Sequence, residues 1–253
     1  MPGKEIRLRQ LFKHSGRVLI VPMDHGVTIG PVSGLEDIRS AVKAAVKGGA
    51  DAVVIHKGLV RHISQFLGPD GCNLILHLSA STALSPEPNK KELIASVEHA
   101  IELGATAVSA HVNMGSAFET AMLKDLGLLA EKCCGWRIPL MAMMYVRDGN
   151  KESEYDAAKI KHAARVAEEL GADIIKVNYT GKPDSFAEVV GGVRVPVIIA
   201  GGPKMDSTGA LLTMITDAVK AGCKGVAIGR NIFQDSNPAR LTAEIRRILD
   251  KTE

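Results

Sequence analysis

The sequence predicts a closed barrel of eight parallel β-strands ringed by helices, and three observations carry that prediction. Short β-rich runs recur along the whole 253-residue chain. Between them lie stretches whose apolar residues return at helical spacing. Four segments, "GGADAVVIHKG", "LGATAVSAHVN", "LGADIIKVNYTG" and "AGCKGVAIGRN", repeat one design, in which a helix stops at glycine and a strand begins three or four residues later. Strands alternating with helices form parallel sheets covered by those helices. Eight of them close into a (β/α)8 barrel, with an open doubly wound sheet as the alternative.

The strand runs are residues 17–26, 50–58, 73–79, 105–113, 138–146, 172–181, 195–202 and 224–231. The repeats precede the second, fourth, sixth and eighth, while "RIPLMAM" and "RVPVIIA" lead into the fifth and seventh. Between residues 154 and 170, Ile160, Ala163, Ala164, Ala167 and Leu170 fall on one helical face. Leu241, Ile245, Ile248 and Leu249 do the same behind Asn237-Pro238, an N-cap followed by a first-turn proline. Ser33 with Glu36, and Ser116 with Glu119, fit capping boxes. No linker or shift in composition interrupts the pattern, so residues 1–253 are expected to form a single domain.

Hydrophobic residues make up 46% of the chain and charged residues 23%, enough apolar surface for a large core. A net charge of +3 without a basic block gives no expectation of nucleic acid. No apolar run approaches the ~20 residues that span a bilayer. The basic stretch "MPGKEIRLRQLFKHSG" lacks the apolar core of a signal peptide. Cys72, Cys133, Cys134 and Cys223 contain no C-x-x-C pair, so reduced thiols in a cytoplasmic protein are expected.

Barrels of this kind carry their chemistry at the C-terminal ends of the strands. The polar residues there are Asp24 and His25, His56 and Lys57, His77 and Ser79, His111 and Asn113, and Tyr145 and Arg147. Lys176, Asn178 and Tyr179 follow, then Lys204 beside Gly201 and Gly202, and Arg230 and Asn231 beside Gly229. The last two strands end in "AGGPK" and "IGRN". Glycines at these two places let backbone N–H groups approach an anion, and Arg230 adds charge, which predicts a phosphate site.

In the sixth strand, Lys176 shares a face with Ile174, opposite Ile175 and Val177. If Val177 faces the helices, Lys176 points into the barrel mouth. Burial disfavours a charged amine, and a neutral amine adds to a ketone, so the position predicts a Schiff base. A strand-end lysine that snorkels to solvent is the competing reading. Tyr145 and Asp24 suit the proton transfers that such chemistry needs, with a rim aromatic and a turn cap as their structural alternatives. His25, His56, His77 and His111 end the first four strands and raise the question of a metal. The first strand has no H-x-H and the later strand ends offer no acidic ligand, so neither a metal nor another cofactor is expected.

The set "VPMDHG", "HKG", "HLSAST", "AMMYVR", "IKVNYTG", "AGGPK" and "GRNIFQ" resembles the archaeal-type class I aldolase family, and the resemblance runs along nearly the whole chain, over residues 5 to 250. The resemblance implies a (β/α)8 TIM barrel assembled as a ring-shaped homo-oligomer, often a decamer. It implies Lys176 as the Schiff-base lysine, Tyr145 as proton donor and Asp24 as proton acceptor. Substrate contacts are implied for Asp24, His25, Gly26, Val27 and Thr28, and for Tyr145, Val146 and Arg147. Gly201, Gly202, Gly229 and Arg230 are implied phosphate contacts. The implied substrates are a phosphorylated keto sugar and a small aldehyde.

Fructose-bisphosphate aldolases of this group tend to carry a lysine and a tryptophan where this chain has His77 and Met143. The resemblance therefore points to the branch that transfers a three-carbon unit from 6-deoxy-5-ketofructose 1-phosphate to L-aspartate semialdehyde, on an alternative route to 3-dehydroquinate. Fructose-1,6-bisphosphate cleavage, and condensation of the semialdehyde with dihydroxyacetone phosphate, are the alternatives. Where the family usually reads Tyr-Pro-Arg-Gly, this chain departs with Tyr145-Val146-Arg147-Asp148.

Overall fold

Almost every strand residue is buried on whichever side it points, as a parallel sheet wrapped in helices requires. The computed structural model describes residues 1–251. Its barrel strands are β1 (Val18–Pro22), β2 (Ala52–Ile55), β3 (Asn73–His77), β4 (Ala107–Met114), β5 (Leu140–Val146), β6 (Ile174–Val177), β7 (Val197–Ala200) and β8 (Gly225–Ala227). All neighbours pair in parallel, and β8 pairs with β1 to close the ring. The eight runs predicted from sequence are these eight strands, and helices follow them on the outside.

Alternation along the strands sorts the side chains into two layers. Val18, Ile20, Val54, Ile75, Met141, Met143, Ile174 and Ile198 fill the barrel. Leu19, Val53, Leu74, Leu140, Ile175, Val177 and Ile199 pack outward against the helices. Helix Pro2–Leu11 closes the N-terminal end, where Leu8, Leu11 and Phe12 join the interior layer. Helix Ala157–Glu169 buries the predicted face, Ile160, Ala163, Ala164 and Ala167. Helix Pro238–Asp250 is capped by Asn237, whose side chain accepts from the Arg240 N–H.

The two capping boxes are not formed as predicted. Helix Ile38–Lys47 begins four residues after Gly34, a residue in the left-handed region, and its cap is Asp37, which accepts from the Arg39 N–H. Glu36 accepts from the Gly34 N–H instead. At helix Glu119–Trp136 the Ser116 hydroxyl accepts from the Phe118 N–H and donates to the Asn113 carbonyl. Glu119 reaches back to the N–H of Gly115, so the reciprocal pattern is displaced and the helix starts after it.

The sequence repeat has a structural use. Asp51 and Asp173 occupy its "GAD" positions at the starts of β2 and β6. Asp51 accepts from the Leu19 N–H at 2.7 Å, and Asp173 from the Leu140 N–H at 2.8 Å. Asp51 also binds Arg246 at 2.8 Å and His14 at 2.6 Å, and Asp173 binds Lys4 at 2.7 Å. The floor of the barrel is thus tied to the terminal helices, which leaves the opposite mouth for chemistry.

Candidate active site

The C-terminal mouth holds a cavity of about 410 Å³, lined from all eight strand ends. Lys176 projects into it from β6, because Ile174 shares its inward face while Ile175 and Val177 join the outer layer. Only 6% of Lys176 is exposed. Its Nζ lies 3.9 Å from the Met143 sulfur, its register partner on β5, and 6.0 Å from the centre of the Tyr145 ring. The residue does not snorkel; its amine ends inside the cavity.

Asp24 stands at the end of β1, 3.7 Å from His25 Nδ1 and 3.8 Å from His77 Nε2. Burial alone would raise its carboxyl, but His77, His25, Lys176 and His56 outweigh burial and hold it at about 2. His77 is itself lowered from 6.5 to about 4, chiefly by burial, with Asp24 opposing. It is therefore neutral at pH 7. Burial also lowers His25, His56 and His111. His77 bonds the Ser109 hydroxyl at 2.8 Å, and His111 bonds Asn113 at 2.8 Å.

These histidines set the expected response to acid. Unfolded His77 takes up a proton below about pH 6.5 that the folded site refuses until about pH 4. Stability is complete above the unfolded value and is lost as pH falls toward 4, by about 3 kcal/mol for His77 alone. Urea unfolding should therefore show a falling midpoint between pH 7.5 and 5. His77→Gln should flatten the slope by about one proton; an unchanged slope would remove His77 from this role.

The loops after β7 and β8 line the cavity together, where the sequence predicts a phosphate site. Gly202 has φ +66°, a conformation that favours glycine. A side chain at Gly229 would strike His25 at 2.7 Å and the Pro22 carbonyl at 2.8 Å. Asn231 staples the two loops: its amide donates to the Gly201 and Pro203 carbonyls, both at 3.0 Å, and accepts from the Met205 N–H at 2.8 Å. Arg230 lines the cavity, and its buried Nε has no partner among the described residues.

Of the expected site residues, Asp24, His25, Thr28, Tyr145, Arg147, Lys176, Gly201, Gly202, Gly229 and Arg230 line the cavity. Gly26, Val27 and Val146 do not. The short helix His25–Ile29 turns Gly26 and Val27 away while His25, Thr28 and Ile29 face inward. Strand alternation turns Val146 outward between Tyr145 and Arg147. Tyr179 likewise faces the helices, where its ring meets Phe186. Lys57 and Lys204 lie outside the cavity, bonded to the Ile94 and Gln234 carbonyls.

Lys91, Asn89, Glu154 and Tyr155 also line the cavity and were missed from sequence. Lys91 arrives on a small antiparallel hairpin, Ser79–Ala80 with Glu92–Leu93, that folds over the mouth after β3. The length of the stretch between the third strand and the next helix was its only signal. Among the described residues, no group of three or more His, Cys, Asp or Glu side chains is placed to hold a metal ion.

The family model for DeoC/LacD family aldolases matches residues 18–235. The chain belongs to this family. Among its relatives, an Archaeoglobus fulgidus protein named 2-amino-3,7-dideoxy-D-threo-hept-6-ulosonate synthase 1 is 43% identical over 249 residues, covering 98% of this chain and 92% of that one. A Streptomyces griseus protein named 2-amino-4,5-dihydroxy-6-oxo-7-(phosphonooxy)heptanoate synthase is 38% identical over 251 residues, covering 98% and 90%. This aldolase-family chain is also similar to a solved archaeal fructose-1,6-bisphosphate aldolase, described with its catalytic Lys covalently bound to the carbinolamine intermediate of the substrate. That match has a TM-score of 0.89 at 29% identity and covers 98% of this chain and 100% of that one.

Proposed function

We propose that the chain is a lysine-dependent class I transaldolase that makes 2-amino-3,7-dideoxy-D-threo-hept-6-ulosonate from 6-deoxy-5-ketofructose 1-phosphate and L-aspartate semialdehyde, on a route to 3-dehydroquinate. The observation that carries this reading is the buried Lys176 amine, ending in a polar cavity with Asp24 and Tyr145. Lys176 adds to the ketone, and loss of water from the carbinolamine gives an iminium. Tyr145 supplies and recovers protons at the substrate oxygens. The Asp24 carboxylate accepts a proton and opposes the iminium charge. Cleavage of the C–C bond releases hydroxypyruvaldehyde phosphate and leaves an enamine on Lys176. That enamine attacks the semialdehyde carbonyl, and hydrolysis frees the product and the amine.

Support for this branch comes from His77 and Met143 and from the Archaeoglobus relative's name. The Streptomyces relative's name favours a second reading, in which dihydroxyacetone phosphate is the donor and the product keeps its phosphate. Both names describe seven-carbon 2-amino acids. A product assay should find the carbons of labelled aspartate semialdehyde in such an acid, phosphate-free under the first reading and phosphorylated under the second. Efficient cleavage of fructose 1,6-bisphosphate with no reaction of the semialdehyde would move the assignment to a fructose-bisphosphate aldolase.

Arg230 and the loop glycines 201, 202 and 229 are proposed to hold phosphate. Arg230→Ala should weaken binding of the phosphorylated substrate and of competing inorganic phosphate about ten- to a hundredfold, the worth of an ionic hydrogen bond. An unchanged KM would count against Arg230 as a ligand. The remaining proposals are a single domain, a cytoplasmic location and a ring-shaped homo-oligomer with the decamer as family precedent. Four free cysteines support the location, and no helix among the described residues is long and apolar enough to cross a membrane.

A further inference from the structure

The cavity has a second cationic pole. In the closed ring of eight strands, β3 and β4 lie across from β7 and β8. Lys91 is fixed over β3 and β4 from two sides. Its hairpin pairs Ser79 with Leu93 and Ala80 with Glu92, and the Ile94 N–H donates to the Leu78 carbonyl at 2.8 Å. From β4, the Asn113 amide donates to the Asn89 carbonyl at 2.8 Å. The Lys91 ammonium donates to the Ser81 hydroxyl at 2.6 Å, which leaves two of its three donors for other partners.

Charge at this pole is unevenly matched. Arg147, the other cation on this side, pairs with Glu154. Among the described residues no carboxylate lies within salt-bridge distance of Lys91, although it lines the cavity. Burial lowers the Lys91 amine, Asp24 opposes that shift, and Arg147 adds to it, so an incoming anion would relieve both burial and repulsion.

We propose that Lys91 holds the carboxylate of the acceptor, a short amino-acid aldehyde, across the cavity from the phosphate loops. This rests on the second reading above and adds the group that selects the acceptor. In that reading the donor's phosphate stays on the enamine half, in the loops, so an aldehyde entering at the reacting carbon extends away from them, toward Lys91. A charged residue there sorts acceptors by what they carry beyond the carbonyl. With the phosphate loops on one side and Lys91 on the other, the site fits a chain with an anionic group at its far end.

The test measures kcat/KM for three acceptors, with the ketose phosphate saturating: aspartate semialdehyde, the uncharged aldehyde butanal, and glyceraldehyde 3-phosphate. Lys91→Gln should lower kcat/KM for the semialdehyde about ten- to a hundredfold, the effect of one ionic hydrogen bond. Its preference for the semialdehyde over butanal should fall by the same factor. Lys91→Arg, which keeps the charge, should recover much of that preference, whereas a purely structural lysine would not affect it. An unchanged preference in Lys91→Gln would overturn the proposal. So would a loss confined to glyceraldehyde 3-phosphate, which would make the subsite one for phosphate. Ketose-dependent borohydride labelling of the parent protein is the separate check: its absence would remove the functional reading, and the subsite with it.

Discussion

Borohydride added together with the keto-sugar phosphate should inactivate the protein irreversibly, and borohydride alone should not. The reason lies in β6. An iminium is reduced to a stable secondary amine, whereas a lysine that only packs or pairs forms none. Lys176 is placed for addition because strand alternation turns it inward and the Met143 sulfur is its only bonded neighbour among the described residues. Among the described residues no carboxylate lies within salt-bridge distance of its amine, and Asp24 stands near enough to stabilise the cation that follows. Mass spectrometry should place the adduct on the peptide containing Lys176. The rival amine to exclude is Lys91, which shares the cavity; Lys57 and Lys204 lie outside it. Lys176→Arg keeps a positive charge but cannot form the imine, so turnover should be abolished while the fold is retained, as read by unfolding midpoint. Labelling at Lys91, or an active Lys176→Arg enzyme, would sink the reading of this strand.

Why this lysine could be read from sequence while Lys91 could not is a matter of which interactions are periodic. A strand's alternation is fixed by backbone geometry, so placing Ile175 and Val177 outward places Lys176 inward without further information. The same rule puts Tyr145 and Arg147 in the cavity and takes Val146 out, a consequence available in the sequence that the family resemblance overrode. The two loops proposed to hold phosphate drew attention because glycine marks close backbone approach, and Gly202 and Gly229 sit where a side chain is disfavoured by φ or by contact. Lys91 belongs to a loop whose position depends on hydrogen bonds to distant backbone, such as Asn113 to Asn89, and no local pattern encodes those. The capping boxes failed for a related reason. Ser33 and Glu36 have the right spacing, yet the Gly34 turn delays the helix until Asp37 can cap it.

The Val146-Asp148 departure is explained by what the structure puts there. Asp148 binds Lys159, Arg147 binds Glu154, and the glycine with positive φ is Gly149, one residue later. One ion pair to the segment Lys151–Tyr155 and one to the helix Ala157–Glu169 thus shape a loop that the family usually shapes with proline and glycine. That segment brings Glu154 and Tyr155 to the cavity wall, which Tyr145 also lines.

Tyr145→Phe should keep the fold and the trappable iminium yet lose turnover by ~10²–10⁴, the usual worth of a positioned proton donor. The ring is held by neighbours that do not need the hydroxyl: His111 at 4.8 Å, Arg147 at 5.5 Å and Lys176 at 6.0 Å from its centre. Phenylalanine preserves those contacts, so a loss of rate reports the missing proton and not a displaced side chain. Asp24→Asn separates charge from proton transfer in the same reaction. A carboxylate held at about 2 is a weak base, and its stronger effect is the negative charge it sets against the Lys176 iminium. The amide removes that charge at nearly constant shape, so both borohydride labelling and turnover should fall, whereas Tyr145→Phe should depress turnover far more than labelling. Near-normal kcat in Tyr145→Phe would take the phenol out of the mechanism. Labelling lost equally in both variants would mean that the two residues act together on iminium formation, and that neither is reserved for the C–C bond.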